Sequence, residues 1–314
     1  MTKDITKLLK GKPTISKAKT SKVTKPSTKK KLTATIKETP ITQNTSTKKK
    51  VTINDKTFEY EEKMHSSTCR ILGTHGVRFQ SKLYSELMKT HKENFLNNNN
   101  NGHDTKKLRF QIASFDLDDT LIQTKSGFKF GKSADDWKFK YPEIQEKGKL
   151  TEWIMKANED CKDDETTTIP IMVIFTNQGG VTNNHDSNEP KSKSLLKLLT
   201  KLQLILDSSP LAEVPTLIYA STKKSKKDLQ NGVGSDDQLH SSFRKPGIGM
   251  FEQLKMDLGD GVGVGVGIDG VLIDMEKSFY VGDAAGRKSD FSDSDKKFAE
   301  NVGLKFYTPE EFFV

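Results

Sequence analysis

The sequence has only two cysteines, Cys69 and Cys161, among its 314 residues. Two cysteines do not make a disulfide framework or a four-cysteine zinc site, so a reducing compartment such as the nucleus or cytosol is expected. No run approaches the roughly 18 apolar residues of a membrane-spanning helix. No charged n-region followed by an apolar h-region marks a secretory signal. The composition therefore argues against disulfide-rich, membrane-spanning and secreted classes of protein.

Apolar residues are also scarce, and the deficit is concentrated in residues 1–50. This stretch carries fifteen lysines against two acids, Asp4 and Glu38, and contains no Phe, Tyr or Trp. Such a composition cannot bury enough apolar surface to offset the entropy of ordering, so a disordered basic tail is predicted. The tail has a net charge of +13 while the whole chain has +9, so residues 51–314 carry −4.

Two lysine triplets, at 29–31 and 48–50, leave three interpretations of the tail open. They fit a nuclear import signal, a phosphate-binding patch, or a solvating tail without a further role. A mitochondrial presequence is rich in arginine, and the first arginine here is Arg70, so a nuclear location is favoured over a mitochondrial one. Residues 51–105 have a mixed composition and are interpreted as an unassigned appendage or linker.

From residue 106 onward, predicted strands alternate with predicted helices, which indicates an α/β fold with a doubly wound parallel sheet. The predicted strands are 108–115, 169–176, 217–220, 279–281 and 304–307, and the predicted helices are 146–158, 193–206, 246–258 and 296–302. Two polar or glycine-rich stretches, 223–242 and 259–270, interrupt this alternation. One domain over residues 106–314 is therefore expected.

Polar side chains follow several of these strands at their carboxyl ends. Asp116 and Asp118 follow the first strand, Thr176 ends the second, Lys245 precedes the third helix, and Asp283 follows the fourth strand. Ligands of doubly wound sheets bind beyond the carboxyl ends of the strands. A single Asp-x-Asp is usually a solvated turn or a helix cap, but this many polar groups at one edge predict a functional site.

The residue types at this edge suit phosphoryl transfer. Carboxylates of Asp116, Asp118 and Asp283 can converge on a hard divalent cation such as Mg²⁺. The Thr176 hydroxyl and the Lys245 ammonium can hold a phosphoryl group. One carboxylate of the Asp-x-Asp pair can then attack phosphorus while the other handles the proton of the leaving group.

These motifs resemble, in order and context, those of the haloacid dehalogenase superfamily of phosphatases. The matching positions are Asp116, Asp118, Thr120, Thr176, Lys245, Gly282 and Asp283. Longer stretches are similar to the phosphatase domain of the polynucleotide kinase 3′-phosphatase family, and the resemblance covers about residues 108–314. The most specific of them lie at 282–287 and 308–313. The chain stops at Val314 without a kinase domain, as in the kinase-less yeast members, and Asp119 stands where glycine is usual.

The resemblance implies a role for each matching residue. Asp116 is the expected nucleophile and Asp118 the expected general acid and then base, while Thr176 and Lys245 bind the phosphoryl group. Arg244 is expected either to contact phosphate or the DNA backbone or to form a surface salt bridge. The expected metal is Mg²⁺, held by Asp116 and Asp283 with the Asp118 carbonyl.

Two further regions take their interpretation from the same resemblance. Asp290 is either a group near the metal or part of a helix N-cap, and the sequence does not decide between them. Residues 124–143 form the expected flap over the site. Its aromatic residues can stack on bases of a frayed DNA end or form a small core of their own, and core is favoured for Trp137.

The expected function is therefore Mg²⁺-dependent removal of 3′-phosphate from DNA strand ends in the repair of single- and double-strand breaks. No Gly-x₄-Gly-Lys-Ser/Thr pattern is present, so no kinase activity of that type is expected. One alternative is a small-molecule phosphatase of the same superfamily. Its zinc-loop relatives need Cys and His ligands before the Lys motif, where residues 223–242 offer only His240. The other alternative is a non-catalytic protein that binds DNA ends.

Overall fold

The structure, a computed structural model, describes residues 46–99, 108–146, 148–160, 167–185, 191–262 and 271–314. The strands of the described part are β1 (Ser46–Ile53), β2 (Lys56–Ser66), β3 (Cys69–Leu72), β4 (Gly76–Gln80), β5 (Leu108–Phe115), β6 (Ile122–Gln123), β7 (Lys138–Phe139), β8 (Thr167–Asn183), β9 (Thr216–Lys224), β10 (Val271–Ile273), β11 (Phe279–Val281) and β12 (Lys305–Tyr307). The helices of that part are α1 (Lys82–Asn99), α2 (Pro142–Gln145), α3 (Lys149–Asp160), α4 (Lys193–Leu206), α5 (Lys226–Asn231), α6 (Asp237–Phe243), α7 (Gly249–Val262), α8 (Ser294–Val302) and α9 (Pro309–Phe313).

The predicted α/β architecture with a largely parallel sheet is confirmed. The parallel strands lie in the order β9-β8-β5-β11-β12. Because the first of these strands along the chain, β5, lies between the second and the fourth, the strand order reverses between β5 and β11. The register places Phe115 beside both Ile174 and Val281, so β5 and β11 end together at one edge, beside Ile174 of β8. β8 continues past this edge to Asn183, and its register with β9 shifts between Asn177 and Thr182.

The N-terminal strands extend the same sheet. β1 to β4 form an antiparallel meander, and β4 pairs antiparallel with β9. The described residues from Ser46 to Val314 accordingly form one compact unit. The predicted boundary at residues 105/106 has no counterpart in this sheet, and the predicted tail end at residue 50 falls inside β1. That strand is ordered because Val51 and Ile53 are buried and Lys50 pairs with Glu59. Residues 1–45 of the predicted tail lie outside the described residues.

A buried polar network fastens the meander to the α/β part. The Arg78 guanidinium of β4 lies 3.0 Å from the Asp257 carboxylate of α7. The Tyr219 hydroxyl of β9 donates to the same carboxylate at 2.7 Å, and the Tyr60 hydroxyl of β2 donates to Gln253 of α7 at 2.8 Å. The meander is therefore tied to both the sheet and a helix that packs on it.

Several predicted element boundaries were wrong: β8 and β9, for example, are longer than the strands expected at 169–176 and 217–220. Two helix starts and one stretch that was expected to be irregular differ for a local reason. The helix expected at 146–158 begins at Lys149, because Gly148 adopts a left-handed φ of +59° and separates it from α2. The helix expected from residue 246 begins at Gly249, since the Gly247 amide donates to the Arg244 carbonyl in a turn. The stretch 223–242 forms α5 and most of α6, whose N-caps are Ser225 and Asp236.

A hairpin follows the first parallel strand. β6 and β7 form a separate two-stranded antiparallel sheet, and we call residues 124–143, which begin directly after β6 and include β7, the flap. Within the described residues, no helix combines the length and the apolar character needed to cross a membrane.

Candidate active site

Lys245 is the centre of the candidate site. Its buried ammonium donates to Asp116 Oδ1 at 2.6 Å, to Asp295 Oδ1 at 2.7 Å and to the Tyr280 hydroxyl at 2.7 Å. Burial alone would lower the pKa of Lys245, but contact with the two carboxylates raises it above its ordinary value. Asn177 fixes the backbone of this lysine, since it donates to the Lys245 carbonyl and accepts from the Lys245 amide. Asn177 of β8 therefore determines where the backbone of Lys245 lies.

Three carboxylates gather around this ammonium. Ligand oxygens of Asp116, Asp283 and Asp295 all lie within 4.8 Å of one another. Burial, together with the nearby Asp295, raises the pKa of Asp283 to about 6. Burial likewise raises the pKa of Asp116, although Lys245 acts in the opposite direction. The excess of buried negative charge and the all-oxygen donor set are what a hard divalent cation requires.

Thr120 holds Asp283 in this cluster. The Thr120 hydroxyl donates to Asp283 Oδ1 at 3.2 Å and accepts from the Asp283 amide at 3.0 Å. Thr120, in the motif that follows β5, thus orients Asp283, which follows β11. Asp119 has a left-handed φ of +61°, which is the conformation that favours glycine, and its amide donates to the Ile122 carbonyl at 2.8 Å. The aspartate at this usual glycine position is accommodated in the turn.

The acid that joins Asp283 in the cluster from the residues after β11 is Asp295, which sequence reasoning missed. The candidate that it weighed, Asp290, instead accepts from the amides of Ala285 and Arg287 and pairs with the Arg287 guanidinium at 2.9 Å. Asp295 lies in the first turn of α8 and accepts from the Ala284 amide at 3.0 Å. A signal was available in the sequence, because Asp295 shares the buried helix face of Phe298 and Ala299, where an acid is unusual.

The Asp118 carboxylate, which was expected to converge with Asp116 and Asp283, is not among the oxygens of this cluster, and half of its side chain is accessible. Gln178 Nε2 donates to Asp118 Oδ2 at 2.8 Å and to the buried Thr176 hydroxyl at 2.9 Å. Lys201 of α4 donates to Asp118 Oδ1 at 2.7 Å. The structure therefore connects the predicted Asp118 and Thr176 through Gln178 and adds Lys201. Sequence reasoning gave a role to neither of these two residues.

Arg244 is exposed, in contrast to the adjacent Lys245. Its guanidinium lies against Gly179, where an added Cβ would be 3.0 Å from Nη1. The absence of a side chain at Gly179 of β8 therefore leaves room for the Arg244 guanidinium.

Exposed aromatic and basic residues form the flap. Phe128 and Phe130 are 57% and 78% exposed. The Lys132 ammonium lies 3.8 Å from the ring centroid of Phe128. Trp137 is half-buried and packs edge-to-face on Phe139, which is also half-buried, at 5.6 Å.

Comparison with known proteins identifies one family. The profile described as Polynucleotide kinase 3 phosphatase matches residues 111–313. A Polynucleotide 3′-phosphatase of Saccharomyces cerevisiae is 33% identical over 219 residues, which cover 64% of this chain and 87% of the yeast protein. All the residues described above for the cluster lie within the matched region.

Two other relatives are longer than this chain. The Polynucleotide 3′-phosphatase ZDP of Arabidopsis thaliana is 33% identical over 220 residues, covering 70% of this chain and 26% of the plant protein. The Bifunctional polynucleotide phosphatase/kinase of Schizosaccharomyces pombe is 34% identical over 209 residues, covering 67% of this chain and 38% of that protein. The chain thus spans about a quarter to two fifths of these two relatives.

Proposed function

The chain belongs to the polynucleotide kinase 3 phosphatase family, and we propose that it is a Mg²⁺-dependent phosphatase that removes 3′-phosphate from DNA strand ends. We also assign its sheet and flap to the haloacid dehalogenase type. The observation that carries the proposal is the contact of buried Asp116 with Lys245 beside Asp283 and Asp295. This cluster lies where the strand order reverses, which is where such sheets bind ligands. The relatives' names supply the 3′-phosphate specificity and the polynucleotide substrate.

The cluster fits a magnesium ion. Asp116, Asp283 and Asp295 would supply oxygen ligands that lie within 4.8 Å of one another, and the Asp118 carbonyl is proposed to assist them. When bound, Mg²⁺ would neutralise charge on the phosphoryl oxygens and favour attack by an anion.

Two displacements at phosphorus complete the proposed reaction. In the first, an Asp116 oxygen attacks phosphorus, the bond from phosphorus to the 3′-oxygen breaks, and Asp118 gives its proton to that oxygen. In the second, Asp118 takes a proton from water, which attacks the aspartyl-phosphate and releases inorganic phosphate and free Asp116. Lys245 orients the nucleophile by holding Asp116 Oδ1, and it binds phosphoryl oxygens together with Thr176. Arg244 is the proposed contact for the phosphate or the adjoining DNA backbone.

The flap supports a polynucleotide rather than a small-molecule substrate. Its exposed rings, Phe128 and Phe130, are accompanied by the lysine ammoniums of Lys132 and Lys129. Bases of single-stranded DNA stack on such rings while cations attract the backbone. His240, the residue that a zinc-loop phosphatase would use, instead contacts the Thr74 hydroxyl at 2.9 Å.

A direct assay tests the proposed function. Purified protein should release phosphate from a 3′-phosphorylated oligonucleotide in Mg²⁺ but not in EDTA, and it should leave the matched 5′-phosphorylated oligonucleotide intact. An arm with γ-labelled ATP and a 5′-hydroxyl oligonucleotide should remain unlabelled, because the sequence has no P-loop pattern. Hydrolysis of 5′-phosphate or free sugar phosphate with 3′-ends untouched would refute the substrate assignment.

We propose that the basic N-terminus recruits DNA to an otherwise acidic protein and directs it to the nucleus. Deletion of residues 1–45 is the appropriate test, since deletion to residue 50 would also cut into β1. If the removed lysines contact about four DNA phosphates, the slope of log K against log salt should flatten by roughly 3.6 on long duplexes. Turnover of a saturating short oligonucleotide should hardly change, and nuclear accumulation should fall. An unchanged salt slope would contradict the DNA-binding role.

A further inference from the structure

Lys201 belongs to α4 and reaches across to the candidate general acid. The helix buries Leu198, Leu202 and Ile205 and packs on β8, so its position relative to the site is determined by the core. The sequence of α4 contains no Asp or Glu. The Lys201 ammonium instead donates to the carboxylate of Asp118, which is 83 residues earlier in the sequence, over a distance of 2.7 Å.

Asp118 has one donor on each carboxylate oxygen. Lys201 donates to Oδ1 and Gln178 donates to Oδ2, while the same Gln178 amide reaches the Thr176 hydroxyl. The Asp118 side chain is 50% exposed, so packing alone does not select its rotamer, whereas the Lys201 side chain is only 19% exposed. An ordinary surface ion pair has two solvated partners and contributes little. Here the more buried lysine fixes the more exposed acid.

We propose that Lys201 is a positioning residue that holds the Asp118 carboxylate in place for proton exchange with the 3′-oxygen of the substrate. This inference rests on the proposed function, because the acid role of Asp118 comes from it. General acids act only within hydrogen-bond reach of the atom that they protonate. Among the residues that the structure describes, loss of the Lys201 donor leaves Gln178 as the remaining side-chain donor to a half-exposed carboxylate.

The test compares Lys201→Met with Lys193→Met, which removes the same charge from an exposed position two turns earlier on α4. On a 3′-phosphorylated oligonucleotide, Lys201→Met should lower kcat on the order of 10- to 100-fold with KM nearly unchanged, since small misplacements of catalytic groups have effects of this size. Lys193→Met should retain the wild-type kcat. Lys201→Arg keeps a cationic donor and should recover part of the loss.

A comparison of two leaving groups distinguishes misplacement of the general acid from general damage to the active site. p-Nitrophenyl phosphate releases a stable phenolate that needs little protonation. Lys201→Met should therefore slow the first displacement, measured as release of the leaving group under single-turnover conditions, far less for p-nitrophenyl phosphate than for the oligonucleotide. In an Asp118→Asn background, measured under single-turnover conditions, Lys201→Met should add almost no further loss, because coupled residues are not additive.

Three outcomes would overturn the inference: equal rates for Lys201→Met and Lys193→Met, equal losses on both substrates, or full additivity with Asp118→Asn. Lys201→Gln serves in place of Lys201→Met if the latter has a lowered Tm. The wild-type arm separates the two proposals. A wild type without 3′-phosphatase activity refutes the proposed function and this inference with it, whereas an active wild type with an unaffected Lys201→Met refutes the inference alone.

Discussion

Asp116→Asn should abolish the release of phosphate from DNA 3′-ends. The amide is a poor nucleophile and cannot form the aspartyl-phosphate, so the first displacement has no acceptor. The fold should survive, because an asparagine Oδ1 can still accept the hydrogen bond that Lys245 donates to Asp116 at 2.6 Å. Phosphate release at high enzyme concentration, together with thermal unfolding, measures the two effects separately.

Asp119→Gly is the matched control for this nucleophile variant. It removes a carboxylate from the same loop, and the left-handed φ of +61° at this position suits glycine. Activity close to that of the wild type is expected. Measurable turnover by a folded Asp116→Asn protein would mean that the nucleophile is another residue.

Asp295→Ala should damage both activity and stability. Asp295 accepts hydrogen bonds from Lys245, Tyr280 and the Ala284 amide, and all of these partners are buried. Removing one partner of a buried ion pair costs about 3 kcal/mol or more, because the remaining charge loses its compensation. The variant also loses one of three oxygen ligands, so half-maximal activity should require more Mg²⁺. Urea unfolding and Mg²⁺ titration of phosphate release are the measurements.

Asp290→Ala is the informative control for Asp295. Asp290 is the first acid after Asp283 in the sequence. Its carboxylate pairs with the Arg287 guanidinium and is not part of the cluster. Its removal should leave the Mg²⁺ dependence unchanged and the unfolding free energy much less affected than in Asp295→Ala. A stable, active Asp295→Ala beside an Mg²⁺-impaired Asp290→Ala would contradict the assignment of the second acid.

Elements with strong local patterns were predictable from sequence. The strands at 108–115 and 279–281 and the helix at 193–206 were predicted with the bounds that the structure has. Continuous apolar runs and 3.6-residue spacing depend only on neighbours in the chain, so they are visible without the fold. Boundaries beside Gly148 and Pro246 were missed, because a left-handed residue and a turn interrupt an otherwise helical pattern.

Two of the motif residues were determined by sequence, because Asp116 and Asp283 each follow a recognisable strand, and these strands end side by side. Thr176, which was expected to end its strand, lies within β8, two residues beyond the partner of Phe115, so the register of β5 and β8 still places it at the same edge. The contacts that Asp295, Tyr280, Gln178 and Lys201 make with the site were decided only by the tertiary structure. They depend on how α8 packs beside β11 and how α4 packs on β8. It also decided the place of the N-terminal meander. The pairing of β4 with β9 joins residues more than a hundred positions apart, and no local pattern in either strand encodes its partner.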